Sequence, residues 1–341
     1  MVLNTKYRNK SFSFLTIMVI LFGLLIISGL FALKLGTPKL SLGQLLEIVK
    51  GEGAEQIRIV VLELRLPRFI LGTLAGMMLA LSGVILQDSM RNALAGPEIL
   101  GVSSGAAAVM AIIIVFHIPV AFALHPLLAM SGGLIGGGIV LASIRKNPNP
   151  IHLVVVGAAV SALLFSIVIA VISYGSDTAI SLLYQFLTGS LASRTWDHVW
   201  ILLPWAFVGI PLAIFSAERL NVIRLGDEVA MGLGLNVNKT RMLFMLLSIA
   251  LVASVVSVSG PISYIALLTP HLTRRLLNTE RAQLVLPISS LLGALLLTLA
   301  DLLSRRVFAP QEISVGIWTT IIGGPILLFL LQQMIRRVRH R

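Results

Sequence analysis

Residues 219–241 read R-L-N-V-I-R-L-G-D-E-V-A-M-G-L-G-L-N-V-N-K-T-R, a polar segment between long apolar runs. Asp227 and Glu228 stand at the front of a short apolar pattern, where carboxylates favour a helix N-terminus. Gly232 and Gly234 mark the end of that pattern. We predict one or two short helices that lie across a membrane surface and offer an apolar face to another protein. A solvated connector between two membrane spans is the alternative interpretation.

Apolar runs like those on either side of this segment recur along the whole chain. Of the 341 residues, 57% are hydrophobic and 12% are charged, whereas a soluble domain averages about 25% charged residues. A run of about 20 apolar residues can cross a bilayer, and it must be helical there because lipid offers the backbone no hydrogen-bond partner. We therefore predict an all-α membrane protein in which residues 1–341 form a single transmembrane domain. The ten predicted spans are 12–33, 66–86, 99–116, 120–144, 151–174, 197–215, 241–258, 260–277, 283–304 and 313–335.

The distribution of charge predicts the orientation of these spans. Ten spans place both termini on one side, together with 17 of the 26 Lys and Arg residues and six of the 14 acidic residues. The net charge is thus +11 on the terminus side and +1 on the other. Lys and Arg accumulate on the cytoplasmic side of membrane proteins, so we predict that both termini and segment 219–241 are cytoplasmic. Because no basic domain gathers the positive charge, we expect no nucleic acid partner.

A few arginines remain on the predicted outer side, against the general bias. Arg65 and Arg68 form R-L-P-R at the start of the second span, and Arg305 lies at the end of the ninth. Such side chains can be anchors that reach towards lipid headgroups. They can equally form a dock for an acidic partner, and the sequence leaves both interpretations open.

The spans contain few groups that could perform chemistry. No Asp, Glu, Lys or Arg lies in 99–144 or 147–176, whereas ion-coupled transporters need ionisable residues inside the membrane. The chain has no cysteine, no G-x-x-x-x-G-K-[ST] phosphate-binding loop and no H-E-x-x-H metal motif. We expect no catalytic residue, metal site or bound cofactor on this chain. If ATP drives it, ATP and Mg²⁺ bind to another subunit that contacts 219–241.

Several motifs, taken in order, resemble those of one family of membrane permeases. They are R-L-P-R at 65–68, L-A-L-S-G-V-I-L-Q at 79–87, R-N-A-L-A-G-P-E-I-L-G-V-S-S-G-A at 91–106, T-G-S-L at 188–191, L-G-D-E-V-A-M-G-L-G-L at 225–235, S-G-P-I-S-Y-I-A-L-L-T-P-H-L-T-R at 259–274, A-D-L-L-S-R at 300–305, E-I-S-V-G at 312–316 and G-G-P-I at 323–326. From about Arg65 to Arg337 the chain resembles the permease subunits of ATP-binding-cassette importers for iron–siderophore complexes, haem and vitamin B12. Three positions depart from that pattern: Asp88 stands where Gly is common, and Ala93 and Ser314 stand where Pro is common.

The resemblance implies a type II importer fold, in which ten-helix permeases work as a pair around a central path. The second permease is identical or a paralogue, two ATP-binding subunits bind on the cytoplasmic side, and an extracytoplasmic binding protein docks on the other. The implied location is the plasma membrane of a bacterium. The implied binding-protein dock is Arg65, Arg68 and Arg305, and the inner gate falls near Pro150 and Ile151. The residues implied to couple the chain to the ATPase are Leu225, Gly226, Asp227, Glu228, Ala230, Gly232, Leu233 and Gly234.

The resemblance favours import of a ferric siderophore without covalent chemistry on this chain. The same machinery importing haem or vitamin B12 is the first alternative. An ion-coupled secondary transporter is disfavoured by the missing intramembrane charges. A membrane scaffold without transport activity is disfavoured by the presence of both an inner and an outer dock.

Overall fold

The computed structural model describes residues 2–36, 40–52, 54–145 and 150–339. Within these ranges the chain forms fifteen α-helices and no β-strand. The helices are α1 (Val2–Lys34), α2 (Leu42–Val49), α3 (Glu55–Ile59), α4 (Leu66–Met90), α5 (Val102–Val115), α6 (His125–Ile144), α7 (Pro150–Ile172), α8 (Asp177–Leu187), α9 (Trp196–Phe215), α10 (Ala217–Arg224), α11 (Asp227–Gly232), α12 (Val237–Ser259), α13 (Ile265–Leu277), α14 (Ala282–Arg306) and α15 (Val315–Arg339). A π-helical stretch, Val60–Arg65, joins α3 to α4 without a break.

Each of the ten predicted spans coincides with a helix, but the helices differ in length. In the described part of the chain, seven helical segments are long and apolar enough to cross a membrane. Two more, α5 and the apolar part of α15, are shorter. The predicted span 260–277 is helical only from Ile265, so α13 has 13 residues. The protein is therefore a multi-pass membrane protein, and ten is an approximate number of spans.

The helix α13 is short because the residues before it are not helical. Gly260, at a φ of +70°, ends α12, and Tyr264, at a φ of +69°, immediately precedes α13. The segment between them is packed against protein: a side chain on Gly189 would collide with the carbonyl oxygen of Pro261. Next to it, Ser190 donates its backbone N–H to the carbonyl oxygen of Ser259 (2.7 Å). Non-helical backbone at membrane depth is tolerated where protein buries it, and the T-G-S-L motif provides that cover here.

The helix α4 is the centre of the bundle, since 19 of its 25 residues are buried. It packs most extensively against α14 and also contacts α9, α12 and α13. At the crossing of α4 with α14, a Cβ atom on Gly76 would overlap the backbone of Gly293. The helices α5 and α6 cross in the same way at Gly105 and Gly132. Small residues thus let these backbones approach closely, as in other membrane helix pairs.

The polar segment 219–241 includes most of the short helix α10, the whole of the short helix α11 and the first turn of α12. This agrees with the prediction of one or two short helices. The helix α8, over the 11 residues Asp177–Leu187, is too short to span a bilayer. The helices α2 and α3 were not predicted, because their 8 and 5 residues are too short to produce a long apolar run.

Candidate functional site

The structure brings the three predicted outer arginines close together, and two of them, Arg68 and Arg305, contact one buried carboxylate. Asp301, on α14, accepts hydrogen bonds on Oδ1 from Nε (3.0 Å) and Nη2 (2.8 Å) of Arg68. Its other oxygen, Oδ2, lies 2.9 Å from Nη2 of Arg305. The Asp301 side chain is 4% exposed, so this carboxylate is fixed inside the protein between two guanidinium groups. The remaining terminal nitrogen of Arg68 contacts Glu312 (2.8 Å).

The arginines also connect this cluster to the end of α1. Arg65 donates Nη1 to the carbonyl oxygen of Leu33 (2.6 Å), and Arg305 donates Nη1 to that of Ala32 (3.3 Å). The last four carbonyl groups of a helix have no partner within the helix, and these two belong to the final turn of α1. Cations are favourable at that end of a helix. Arg65 and Arg305 therefore also hold the end of α1 against the start of α4 and against α14.

A fourth arginine, Arg194, was not selected from the sequence. It lies in the turn before α9, and its Nη1 is 3.3 Å from Nε2 of His198. Burial and the nearby positive charge of Arg68 lower the pKa of Arg194 to about 10. Together with Arg65, Arg68 and Arg305 it makes a basic cluster, which is called the outer basic cluster below after its predicted side of the membrane. No motif pointed to Arg194, because its proximity to Arg68 exists only after α4 and α9 pack together.

On the opposite side of the bundle, the segment 225–234 presents an apolar surface. Four apolar side chains are each at least half exposed: Leu225, Val229, Met231 and Leu233. Gly232 and Gly234 lie among them, and a Cβ atom on either would meet nothing within 4 Å. Large apolar side chains exposed together mark an interaction surface. Ala230, which was predicted among the coupling residues, is fully buried, and it supports this surface from behind.

The segment 225–234, called the coupling segment below because it carries the predicted ATPase contacts, is attached to the rest of the protein through Asp227. Its two carboxylate oxygens accept from Nη1 (3.3 Å) and Nη2 (3.0 Å) of Arg241 on α12. Arg241 in turn donates Nε to the carbonyl oxygen of Ser89 near the end of α4 (3.0 Å). Arg91, just after α4, lies 3.4 Å from Oδ1 of the same aspartate. Asp227 therefore connects α11 to both α12 and the end of α4.

A polar cavity of about 660 Å³ lies beside this attachment. Asp88, one of its lining residues, has a side chain that is 4% exposed and accepts from Nη2 of Arg274 (2.7 Å). Nε of Arg224 lies 3.3 Å from the same oxygen, and both arginines also contact Glu280. This network joins α4 to α10 and to the turn between α13 and α14. The sequence feature that pointed to this network was Asp88, which stands where Gly is common in the family.

Comparison with known proteins identifies the family. The model of the FecCD transport family matches residues 24–333. The Iron(3+)-hydroxamate import system permease protein FhuG of Bacillus subtilis (strain 168) is 32% identical over 335 residues, covering 96% of this chain and 99% of the relative. The Fe(3+) dicitrate transport system permease protein FecD of Escherichia coli (strain K12) is 40% identical over 278 residues, covering 81% and 86%. The chain belongs to the FecCD transport family.

A solved structure agrees with this assignment at the level of the fold. It is described as an inward-facing conformation of a metal-chelate type ABC transporter, and it superposes with a TM-score of 0.83 at 28% identity, covering 93% of this chain and 99% of that one. The type II permease fold predicted from the motifs is thus confirmed. The FecCD match includes both the outer basic cluster and the coupling segment.

The predicted inner gate falls at the start of α7, which begins at Pro150. Ile151 is 73% exposed at this end of the helix. The residues immediately before it, 146–149, lie outside the described part of the chain. For this FecCD chain the gate stays a prediction.

Within the described part, no group of three or more His, Asp or Glu side chains is arranged to hold a metal ion.

Proposed function

We propose that this chain is the membrane permease of an ATP-driven importer of ferric chelates, the class that contains iron–siderophore and iron–citrate complexes. The proposal rests on one observation: this FecCD chain has two distinct contact surfaces, which lie at opposite ends of α4. Arg68 lies in the first turn of that helix and Ser89 in the last. At 1.5 Å per residue their separation is about 30 Å, which is the thickness of the hydrocarbon core.

The outer surface is proposed to receive an extracytoplasmic binding protein. Arg65, Arg68 and Arg305 present guanidinium groups, which suit carboxylate recognition. Two permeases, identical or paralogous, would present two such clusters. A two-lobed binding protein with an acidic residue on each lobe could then contact both.

The inner surface is proposed to receive an ATP-binding subunit. Leu225, Val229, Met231 and Leu233 provide apolar contacts, and Gly226, Asp227, Glu228, Gly232 and Gly234 complete the predicted contact set, with Ala230 beneath. Two ATP-binding subunits would serve the two permeases. ATP and Mg²⁺ would be bound by those subunits, while this chain would provide the path and carry out no catalysis. Both termini would lie in the cytoplasm of a bacterial cell.

Transport in proteoliposomes tests the proposal directly. The complete complex is reconstituted with ATP in the lumen, and the binding protein is added outside with radioactive ferric hydroxamate, ferric citrate, haem or vitamin B12. We expect uptake of a ferric chelate that requires hydrolysable ATP and continues when an ionophore dissipates ion gradients. The matched control contains a non-hydrolysable ATP analogue. Uptake that needs a proton or sodium gradient and runs without ATP would instead identify a secondary transporter.

A further inference from the structure

Arg68 binds two carboxylates that differ in how firmly they are held. Asp301 is on a helix, is 4% exposed, and is shared with Arg305. Glu312 is not in a helix and its side chain is 39% exposed. It contacts one terminal nitrogen of Arg68, Nη1, at 2.8 Å, and the Arg68 side chain itself is 10% exposed. One carboxylate on this arginine is therefore buried and the other is partly exposed.

The segment that carries Glu312 is short and is attached at few points. It runs from Val307 to Ser314, between α14 and α15. Besides the contact of Glu312, the segment is held at three points. Ile313 donates its backbone N–H to the carbonyl oxygen of Ser304 (3.2 Å), the side-chain hydroxyl groups of Ser314 and Thr188 lie 2.8 Å apart, and the ring of Phe308 lies 6.4 Å from that of Trp318. Glu312 is three residues before the first residue of α15. A change at Glu312 is thus transmitted to the start of the last helix.

The charges of the cluster explain why an outside carboxylate would be attracted despite these internal partners. The cluster contains only two carboxylates, those of Asp301 and Glu312, for its four arginines. An excess of two positive charges therefore remains on Arg65, Arg68, Arg194 and Arg305 taken together. Asp301 is too deeply buried to be replaced from outside. At Arg68, an approaching carboxylate therefore competes with Glu312 for Nη1.

We propose that Glu312 is an internal competitor at the outer dock, and that an acidic side chain of the binding protein displaces it from Arg68 and releases the 307–314 segment. This inference rests on the proposed function, because it requires a binding protein that docks on the outer basic cluster. It assigns to Glu312 a role in setting the affinity and specificity of docking. A partner without a carboxylate at this point would leave the internal ion pair closed.

The association and dissociation of the cognate binding protein, measured on the complete complex in nanodiscs, test the competition. Glu312→Gln removes the charge of the competitor while keeping its shape. Glu63→Gln is the matched control, because Glu63 is an exposed carboxylate near the same end of α4 that forms no ion pair with the described residues. We expect Glu312→Gln to tighten binding roughly two- to fivefold, with the gain shrinking at high salt, and Glu63→Gln to leave it unchanged.

A second measurement leaves Glu312 in place. Since the chain has no cysteine, Gln311→Cys provides a unique site for a nitroxide label, and its spectrum reports the mobility of the 307–314 segment. We expect docking to increase that mobility. If Glu312→Gln prevents assembly of the complex, this measurement still tests whether docking releases the 307–314 segment.

The outcomes separate this inference from the proposed function. If the wild-type complex binds no binding protein, both fail. If the wild type binds, but Glu312→Gln binds equally or more weakly, Glu312 is not a competitor and only this inference fails. An unchanged label spectrum on docking likewise overturns the release of the segment.

Discussion

Arg241 and Asp227 form a two-pronged ion pair in which the two terminal nitrogens of the guanidinium contact the two oxygens of the carboxylate, at 3.0 and 3.3 Å. The Arg241 side chain is 3% exposed and Asp227 is 39% exposed. The pair therefore reaches from the protein interior to the base of the coupling segment. Two parallel hydrogen bonds fix orientation as well as distance, so α11 is held to α12 at a defined angle.

We predict that Asp227→Asn weakens coupling between ATP hydrolysis and transport, because the amide keeps the shape of the carboxylate but loses its charge. The ATPase subunit should still bind, since the apolar surface is unchanged. The quantity to measure is chelate transported per ATP hydrolysed in proteoliposomes, which we expect to fall severalfold. Glu218→Gln, at an exposed carboxylate in the first turn of α10 and outside the predicted contact set, is the control and should retain the wild-type ratio. A wild-type ratio in both variants would show that the ion pair between Asp227 and Arg241 does not contribute to coupling.

Gly232→Arg should abolish assembly with the ATPase while the permease itself folds. A Cβ atom at this position meets nothing within 4 Å in the chain, so the cost of the larger side chain arises only when a partner covers the surface. Gly232→Ala, which adds only a methyl group, is the matched control and should assemble. Co-purification of the ATP-binding subunit with each variant measures the effect. Full assembly of the arginine variant would mean that the partner does not cover Gly232.

Asp301→Asn should destabilise the permease strongly. Removing the charge leaves Arg68 and Arg305 without their shared buried carboxylate, and breaking a buried ion pair from one side typically costs about 3–5 kcal/mol. Glu312→Gln alters a partly exposed pair and should cost no more than about 1 kcal/mol. Thermal unfolding of the two variants in the same detergent compares them. Equal stability would show that Asp301 is not the structural member of the cluster.

Gly76→Ala should weaken the crossing of α4 with α14. The new methyl group would overlap the backbone of Gly293, and overpacking of this kind costs about 1–3 kcal/mol. Gly23→Ala in α1 is the control, because a Cβ atom on Gly23 meets nothing within 4 Å. That variant should be neutral or gain up to about 1 kcal/mol from better helix propensity. The comparison again uses thermal unfolding.

Arg194→Gln should stabilise the permease but slow the docking of the binding protein. Burial and the positive charge of Arg68 both disfavour the charged form of this side chain and hold its pKa at about 10. Since the folded pKa lies below the unfolded value, this penalty is present at neutral pH and is relieved as pH rises through 10. Replacing the cation removes the penalty, so the melting temperature should rise by a few degrees. A lower melting temperature would show that Arg194 is mainly structural.

The helices were largely predictable because apolar run length is a local property. The spans 66–86 and 283–304 correspond closely to α4 and α14, since each run is continuous. The prediction was less accurate at 260–277, where Gly260 and Pro261 stand at the start of the predicted span. Hydropathy does not register that the backbone is non-helical there, since that conformation depends on cover by T-G-S-L from a distant part of the chain.

The candidate site divides in the same way. The sequence by itself determined a membrane protein of this family, because the length and order of its apolar runs and its motifs can be read along the chain, and it predicted Arg65, Arg68 and Arg305 as a group. Only the tertiary structure decided that Arg68 is shared between Asp301 and Glu312, which are 233 and 244 residues away. Ion pairs depend on distances between side chains, and helix packing alone brings side chains this far apart in sequence to within 3 Å.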